Sequence, residues 1–349
     1  MLHGGEIYNS IKVQRDFSVN INPLGMPETV SRRLCENVSL LTQYPDQECR
    51  ALRASLEKYT GVPARQILCG NGASELIEAA VRGLRARSIL LTAPSFSGYG
   101  HAARAAEAEI RCHVLKREED FALTDRYLDD LARRPDMAIL CSPANPVGNR
   151  IDRSLFLRIA EICERQGTWL IADECFLGFL SDEEETTMRR LLLPPRNHQR
   201  LLVLDAFTKR FAMPGIRLGY LMASDPEVLD RIHAQQPEWS VSVPAQIAGA
   251  AALETDPQYL KTAREMIASE RKRMTQAMEN MGFKVFPGEA NYIFFSSEKE
   301  LYQPLLGRGI LIRNCDNYRG LKKGDYRTAV LRPEENNILL RALAEIVQA

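Results

Sequence analysis

The sequence predicts an α/β fold in which helices cover both faces of a mostly parallel β-sheet. Five short segments are almost entirely apolar, which is typical of strands buried on both faces. Between the second and third of them, Asp152 can cap a helix whose apolar residues recur at helical spacing, and Gly167 can end it. This alternation indicates a layered α/β domain with right-handed crossovers. The five segments are Ser88–Ser95, Met137–Pro143, Thr168–Glu174, Leu201–Ala206 and Arg217–Ala223.

The C-terminal part of the chain has a different pattern, which begins after Pro244. A helix-rich stretch extends to about Met281 and is followed by short strand-like segments around further helices. These segments are KVFP, NYIFF, ILIRN and YRTAVLR. They predict a second, smaller α+β domain that the N-terminal segment joins. We therefore expect a large domain of residues 45–240 and a small domain formed by residues 1–44 with 241–349.

Composition narrows the classes of function. The 349 residues include 45 Lys and Arg and 45 Asp and Glu, so that the net charge is zero. No nucleic-acid or anionic membrane surface is indicated. No segment approaches the length of an apolar membrane span, and the first residues contain no apolar leader core. The eight cysteines form no C-x-x-C pair, which favours buried, reduced thiols in a cytoplasmic protein over disulfides or a metal site.

A glycine-rich turn precedes a helical pattern at Glu75–Leu84. In the sequence Gly70-Asn71-Gly72-Ala73-Ser74, two glycines allow the backbone to approach an anion, and Ser74 supplies a hydroxyl. The N-terminus of the helix would add free N–H groups and the positive end of its dipole. The segment is thus a candidate anion site, although an ordinary turn with a helix cap has the same local pattern.

Several polar residues follow the predicted strands. Asn145 comes after the second strand and Asp173 ends the third. A carboxylate at the end of a buried strand needs a cationic partner, either in a structural ion pair or in a ligand. Ligands of open α/β sheets bind at these carboxyl ends.

The segment DAFTKRFAMPGIRLGY, from Asp205 to Tyr220, places three cations between two buried strands. A partly buried Lys209 beside Arg210 and Arg217 should have a lowered pKa. That is the condition for an amine that forms Schiff bases. Taken alone, a lysine is more often a surface residue.

The order of these motifs resembles that of the class I/II aminotransferases. The resemblance covers nearly the whole chain and implies the aspartate-aminotransferase fold, a seven-stranded sheet, a homodimer and the cofactor pyridoxal 5'-phosphate. It implies that Lys209 binds the cofactor covalently and that Asp173 pairs with its pyridine nitrogen. Asn145 would bond the phenolic oxygen, and Phe96 would stack on the ring. The other implied cofactor residues are Gly72, Ala73, Ser74, Thr208 and Arg217 at the phosphate, Phe176, and Tyr44 from the neighbouring subunit.

The two ends of the chain resemble the threonine-phosphate decarboxylase branch of this family. The matching stretches include His3-Gly4-Gly5, DFSVNINPLGMP and ILIRNCDNYRGLKKGDYRTAV. The resemblance implies that His3, Asn20, Arg313 and Arg327, together with Asn145, bind a phospho-amino-acid substrate. Two arginines suit this because a guanidinium meets phosphate or carboxylate bidentately. Phe176 stands where aminotransferases of this fold usually have a tyrosine, and this departure favours the decarboxylase branch.

Three functions are compatible with these motifs. The first is decarboxylation of L-threonine O-3-phosphate to aminopropanol phosphate in cobalamin biosynthesis. The second is transamination of histidinol phosphate or another amino acid on the same scaffold. The third is a cofactor-binding regulator without catalytic activity. The complete set Lys209, Asp173, Asn145 and Arg217 argues against the regulator, as does the lack of a DNA-binding extension.

Overall fold

The computed structural model describes residues 4–5 and 12–348. In that part of the chain the strands, β1 to β13 in chain order, are Arg15–Asp16, Ile67–Gly70, Ser88–Ala93, Glu109–Val114, Met137–Cys141, Trp169–Asp173, Leu201–Ala206, Gly219–Ala223, Lys284–Val285, Tyr292–Ser296, Ile310–Leu311, Arg313–Asn314 and Asp325–Ala329. The α-helices, α1 to α13, are Glu28–Glu36, Arg50–Thr60, Ala73–Gly83, Ser97–Ala105, Tyr127–Leu131, Arg153–Gln166, Glu183–Thr186, Phe207–Arg210, Pro226–His233, Val243–Leu253, Pro257–Asn280, Tyr302–Gly307 and Pro333–Gln348.

Seven strands form the large sheet in the order β2-β8-β7-β6-β5-β3-β4. Strand β8 is antiparallel to both of its neighbours, and the other pairs are parallel. The predicted mostly parallel, seven-stranded sheet is therefore confirmed. The direction of β8 follows from its connection, because the chain leaves β7 at Ala206, makes one helical turn and returns at Gly219 without a crossover helix.

Sequence reasoning missed two strands of this sheet, β2 and β4. Strand β2 has only four residues and ends in the glycine-rich turn. Strand β4 lies at the edge of the sheet, and only His113 in it is buried. Apolar runs indicate strands that are covered on both faces, and an edge strand does not need such a run.

Helices cover both faces of the large sheet, as predicted. In β6, Leu170 and Ala172 pack in one apolar cluster with Leu52 and Phe156 of α2 and α6. Between them, Ile171 packs in a second cluster on the opposite face. Helix α6 is capped by Asp152, whose carboxylate accepts from the Leu155 N–H, and it ends at Gly167 in the left-handed conformation, as the sequence indicates.

A smaller sheet, in the order β12-β13-β10-β9, is antiparallel and packs with α11, α12 and α13 around its own apolar cluster. The N-terminal segment joins it, since β1 pairs with β11 and Phe17 belongs to that cluster. Helices α1 and α10 belong to the two separate chain segments of the expected small domain. They pack on each other and on the apolar cluster that covers one face of the large sheet. The division at residues 45 and 240 remains a prediction.

The eight cysteines are unpaired. Five are buried, Cys112 and Cys175 are partly buried, and Cys35 is exposed. Among the described residues, no helix has the length and apolar character that crossing a membrane requires.

Candidate active site

A cavity of about 180 Å³ lies at the carboxyl ends of β5, β6 and β7. This is the edge of an open α/β sheet where ligands bind. It is lined by Ala73, Ser74, Ile77, Phe96, Tyr99, Cys141, Asn145, Asp173, Cys175, Phe176, Ala206, Thr208, Lys209 and Arg217. The structure therefore brings together most of the residues that the sequence suggested for a cofactor, although they come from five separate segments.

A second cavity of about 130 Å³ adjoins the first. The two share Phe96, Asn145, Phe176 and Lys209, so that the lysine lies between them. The second cavity is completed by Gly4, Ser18, Val19, Asn20, Tyr318 and Arg327. Asn20 and Arg327, which were predicted to bind substrate, thus lie beside residues predicted to bind the cofactor.

The glycine-rich turn forms an anion cradle with Arg217. Gly72 has φ of 81°, and helix α3 begins directly after it at Ala73, two residues earlier than the sequence pattern suggested. A Cβ on Gly72 would lie 2.5 Å from Nη2 of Arg217, so only glycine leaves room for the guanidinium. The helix N-terminus, the Ser74 hydroxyl and the guanidinium together suit a phosphate.

Asp173 is a buried carboxylate at the end of β6. Its Oδ2 accepts a 2.6 Å hydrogen bond from the Tyr99 hydroxyl, and its Oδ1 accepts from the Cys175 N–H at 3.0 Å. No cation forms a salt bridge with it among the described residues. Burial raises the pKa of Asp173, and the hydrogen bond from Tyr99 opposes that rise. Among the described residues Asp173 is thus a buried carboxylate without a cationic partner, to which a cationic ligand group can bind.

Lys209 faces both cavities from helix α8. Its pKa is lowered to about 8, chiefly by burial and then by the positive charges of Arg327 and Arg217. The segment after β1 fixes the helix, because Asn22 donates its backbone N–H to the Lys209 carbonyl and its side-chain amide to the Arg210 carbonyl. The predicted lowering of the lysine pKa thus has a structural cause.

The expectation that Arg210 contributes to this effect is wrong. Its guanidinium points away from the cavity and donates to Asp205 at 2.9 Å and to Glu183 at 2.6 Å. It also donates to the Tyr59 hydroxyl. Consecutive residues on one helical turn point about 100° apart, so that Lys209 and Arg210 cannot face the same site. Arg327, which lies 118 residues after Lys209, takes the place that the sequence suggested for Arg210.

Arg327 is 5% exposed and lies beside Asn145 in the second cavity. It donates to Oδ1 of Asn145 and to the Ser18 carbonyl, and its guanidinium lies 5.3 Å from the ring centre of Tyr292. In the described part of the chain no carboxylate forms a salt bridge with it, and its Nε has no hydrogen-bond partner. Asn20, which is 2% exposed, likewise has an Oδ1 without a partner there.

Arg313 lies directly opposite Arg327 in the pairing of β12 with β13. Like charges at opposed positions repel each other in a sheet. Arg313 is 1% exposed, and it donates to Oδ1 of Asn317 at 2.9 Å and to the Asn314 carbonyl. It is not itself among the residues that line the second cavity. The predicted arginine pair is therefore adjacent, but only Arg327 reaches the cavity wall.

Two aromatic side chains form the apolar walls. Phe96 precedes α4, and a Cβ on Gly98 would lie 2.3 Å from its ring, so that glycine is required for this position of the ring. Phe176 packs edge-on against Tyr292 at 5.1 Å, and the Tyr292 hydroxyl holds the Ala144 carbonyl beside Asn145. Both phenylalanines are placed to contact a flat ligand.

Tyr44 is a suggested residue that lies away from both cavities. His3 is outside the described residues. Tyr44 is 81% exposed, packs against Trp239 with the two rings tilted, and lines neither cavity. Its position on the surface is compatible with service to another subunit.

Sequence reasoning missed Tyr99 and Tyr318. Tyr99 lies one helical turn after Phe96, but nothing in the local pattern indicates that its hydroxyl bonds Asp173. Tyr318 lies within the segment ILIRNCDNYRGLKKGDYRTAV, whose resemblance to the decarboxylase branch implied no role for this residue. Both are placed by tertiary contacts between distant segments.

The sequence profile described as aminotransferase class I and II matches residues 12–343. The chain belongs to this family. A family relative, a threonine-phosphate decarboxylase of Salmonella typhimurium, is 36% identical over 99% of this chain and 96% of its own length. An adenosylcobalamin biosynthesis bifunctional protein of Leptospira interrogans is 30% identical over 95% of this chain and 38% of its own. The solved histidinol-phosphate aminotransferase of Clostridium acetobutylicum matches with a TM-score of 0.88 and 31% identity, over 96% of this chain and 99% of that one.

As a member of the class I and II aminotransferase family, the protein is an enzyme that depends on pyridoxal 5'-phosphate. The residues present fit this cofactor. The anion cradle at Gly72 suits its phosphate, and the carboxylate of Asp173, which has no cationic partner among the described residues, suits a protonated pyridine nitrogen. The lowered pKa of Lys209 suits bonding to an aldehyde.

Proposed function

We propose that the protein decarboxylates L-threonine O-3-phosphate and releases aminopropanol phosphate for cobalamin biosynthesis. The observation that carries this proposal is Arg327 in the cavity that Lys209 also lines, with Arg313 directly opposite Arg327 in the strand pairing. Two buried guanidinium groups at opposed positions are best stabilised by a ligand with two anionic groups, such as a phospho-amino acid. The names of the Salmonella and Leptospira relatives support the same substrate and pathway.

The cofactor is held by groups on both sides of the first cavity. Lys209 would bind its aldehyde, and Asp173 would hold the proton on its pyridine nitrogen. Asn145 would donate to the phenolic oxygen, and Phe96 and Phe176 would supply apolar contacts to the ring. Gly72, Ala73, Ser74, Thr208 and Arg217 would bind the phosphate. When bound, the pyridine ring supplies an electron sink for the bond that breaks at the substrate Cα.

Lys209 also moves protons. Because its pKa is lowered to about 8, the Nζ group is mostly protonated near pH 7 and could donate the proton that replaces CO2 at the substrate Cα. The bond that breaks at the substrate Cα would be selected by the orientation in which the site holds the substrate. His3, Asn20, Arg313 and Arg327 set that orientation by holding the two anionic ends.

The reaction can be tested with the purified enzyme and O-phospho-L-threonine. We expect release of CO2 and formation of aminopropanol phosphate, without an amino acceptor. Formation of a keto acid only in the presence of an amino acceptor would identify transamination instead, which is the alternative that the Clostridium relative supports. O-phospho-L-serine should be used less well, by only a few-fold, because one buried methyl contributes about 1 kcal/mol.

The arginine pair supplies a second test. Each contact with a phosphate or carboxylate should contribute about 1.5–3 kcal/mol, so Arg313→Ala or Arg327→Ala should lower kcat/KM by roughly tenfold to a hundredfold. Lysine at either position should restore only part of this loss. Arg308→Ala, which removes a partly exposed ion pair with Glu345, is the matched control. Unchanged turnover in both Arg variants would contradict the proposal.

We further propose a homodimer in which Tyr44 serves the site of the neighbouring subunit. Val38, Leu41, Tyr44 and Trp239 are exposed large apolar side chains close to one another in the sequence or in contact. In a mixture of Lys209→Ala and Tyr44→Ala proteins, half of the dimers are mixed and one of their two sites is intact. Activity should therefore return to about a quarter of the wild-type value. No return of activity would show that Tyr44 serves its own subunit, and a Tyr44→Ala protein that is active by itself would show that Tyr44 serves neither site.

We place the protein in the cytoplasm. The eight unpaired thiols support a reducing compartment. Localisation of a fluorescent fusion outside the cytoplasm would contradict this.

A further inference from the structure

Tyr318 lies at the junction of the two groups that the proposed function assigns to the substrate. It lines the second cavity together with Arg327 and Lys209. Its ring also lies 5.1 Å from the guanidinium carbon of Arg313. Tyr318 is therefore in contact with Arg313, which does not itself line the cavity. Through this contact Tyr318 connects Arg313 with the cavity wall.

The loop that carries Tyr318 is fixed at both ends and in the middle. The Tyr318 N–H donates to the Cys315 carbonyl, and the Leu321 N–H donates to the Tyr318 carbonyl. Asn317, the preceding residue, accepts from Nη2 of Arg313 at 2.9 Å. Further along, a Cβ on Gly320 would approach the Ala93 carbonyl of β3 at 3.3 Å. The loop thus rests on the large sheet and holds Tyr318 in one place.

The Tyr318 hydroxyl makes no hydrogen bond with the described residues, although the side chain is only partly exposed. Tyr318 is one of the residues that line the second cavity, together with the polar side chains of Asn20 and Arg327. The pKa of the neighbouring Tyr292 is raised first by burial, and the Tyr318 phenol is among the groups that raise it further. Tyr292 in turn contacts Arg327. A phenol in this position has a donor to offer to an anion that Arg327 binds.

We infer that Tyr318 determines specificity for the phosphorylated end of the substrate, donating its hydroxyl to a phosphate oxygen while its ring holds the Arg313 guanidinium. This inference rests on the proposed function for the class of substrate. A tyrosine suits the task because its ring can stack on a guanidinium while its hydroxyl contacts the ligand. Tyr318 contributes to binding and discrimination and takes no part in bond breaking.

The test compares Tyr318→Phe, which keeps the ring, with Tyr318→Leu, which removes both functions. Binding to the cofactor-loaded enzyme is followed through the change in cofactor absorbance during titration with O-phospho-L-threonine, L-threonine and inorganic phosphate. We expect Tyr318→Phe to raise the Kd of the phosphate ester about tenfold and Tyr318→Leu to raise it thirtyfold to a hundredfold. The Kd of L-threonine should change less than threefold, and kcat at saturation should stay near the wild-type value.

Tyr326→Phe is the matched control. Tyr326 lies in β13 beside Arg327 but belongs to the apolar cluster of the small sheet, and its hydroxyl accepts from the Leu301 N–H. It should leave all three Kd values unchanged. Tyr318 variants that bind the phosphate ester as the wild type does, or that lose ester and L-threonine binding equally, would overturn the inference.

The same titrations separate this inference from the proposed reaction. A wild-type enzyme that binds the phosphate ester, depends on Tyr318 and yet produces a keto acid would overturn the decarboxylase proposal alone. A wild-type enzyme that binds neither the ester nor inorganic phosphate would overturn both.

Discussion

Lys209 and Arg210 are consecutive cations on the one-turn helix α8, but the structure gives them opposite surroundings. Lys209 faces the cavities, where Arg327 is the neighbouring charge that lowers its pKa most. Arg210 faces the core and is bonded to the carboxylates of Asp205 and Glu183. The surroundings of Lys209 disfavour its positive charge, whereas two carboxylates balance the charge of Arg210.

This difference predicts which substitutions affect activity and which affect stability. Burial acts against the charge of Glu183, but Arg210 and Arg264 outweigh it and lower its pKa. The core-side network therefore needs no ligand. The cavity side contains Lys209, Arg327 and Asp173, which lack such internal balance among the described residues, so that a ligand must complete it. Substitutions on the two sides should have different consequences.

The largest effect should follow from Lys209→Ala on the cavity side. Loss of the amine that we propose to bind the cofactor and to move protons should lower kcat a thousandfold or more. The cofactor-free variant should unfold at the same or a higher denaturant concentration than the wild type, because a charge disfavoured by burial has been removed. Borohydride treatment followed by peptide mapping should label Lys209 in the wild type only. A variant that still bound reducible cofactor covalently would refute this assignment.

On the core side, Arg210→Met should mainly affect stability. It leaves Asp205 and Glu183 without their shared partner, and breaking a buried ion pair in this way costs about 3–5 kcal/mol of unfolding free energy. Urea denaturation provides the measurement. Arg33→Met, which removes an exposed pair with Glu254, is the control and should cost less than about 1 kcal/mol. Loss of activity without loss of stability would mean that Arg210 belongs to the site after all.

The pH dependence of Lys209 reactivity provides a third test. With a pKa of about 8, the amine of the cofactor-free protein becomes neutral as the pH rises through 8, whereas an ordinary lysine does so near 10.5. At pH 7 the neutral fraction should be about three hundred times that of an exposed lysine. Competitive acetylation between pH 6 and 10, with peptide mass spectrometry, measures this, and Lys284, an exposed lysine, is the internal reference. An acetylation midpoint near pH 10 for Lys209 would contradict the conclusion that burial and neighbouring positive charges lower its pKa.

The smallest effect should follow from Tyr99→Phe. The Tyr99 hydroxyl lowers the pKa of Asp173, so its removal should raise that pKa. The carboxylate would then be protonated at a higher pH, and the acid limb of the kcat/KM profile should move upward, with activity at neutral pH falling by roughly threefold to tenfold. Tyr220→Phe, which removes the bond to Asp205 on the core side, is the control. It should lower stability by about 1 kcal/mol and leave the acid limb in place.

The sequence determined the central strands and the order of the cofactor motifs. A strand that is buried on both faces is apolar along its length, so that its own residues identify it. The candidate functional residues that follow β5 and β6 lie at the carboxyl ends of these strands in any arrangement of the sheet. For this reason Asn145, Asp173 and Lys209 could be placed before the structure was known. Strands β2 and β4 carry no such signal, since one is very short and the other is an edge strand.

Only the tertiary structure decided which charges meet. Helix α8 is a single turn, too short for a periodic pattern that would show which way Lys209 and Arg210 point. Arg327 reaches the lysine, and Arg313 comes to lie opposite Arg327, through strand pairing and packing between the two sheets. The bond between Tyr99 and Asp173 joins two elements that are 74 residues apart. Such contacts depend on the register of distant segments, and local sequence contains no measure of that register.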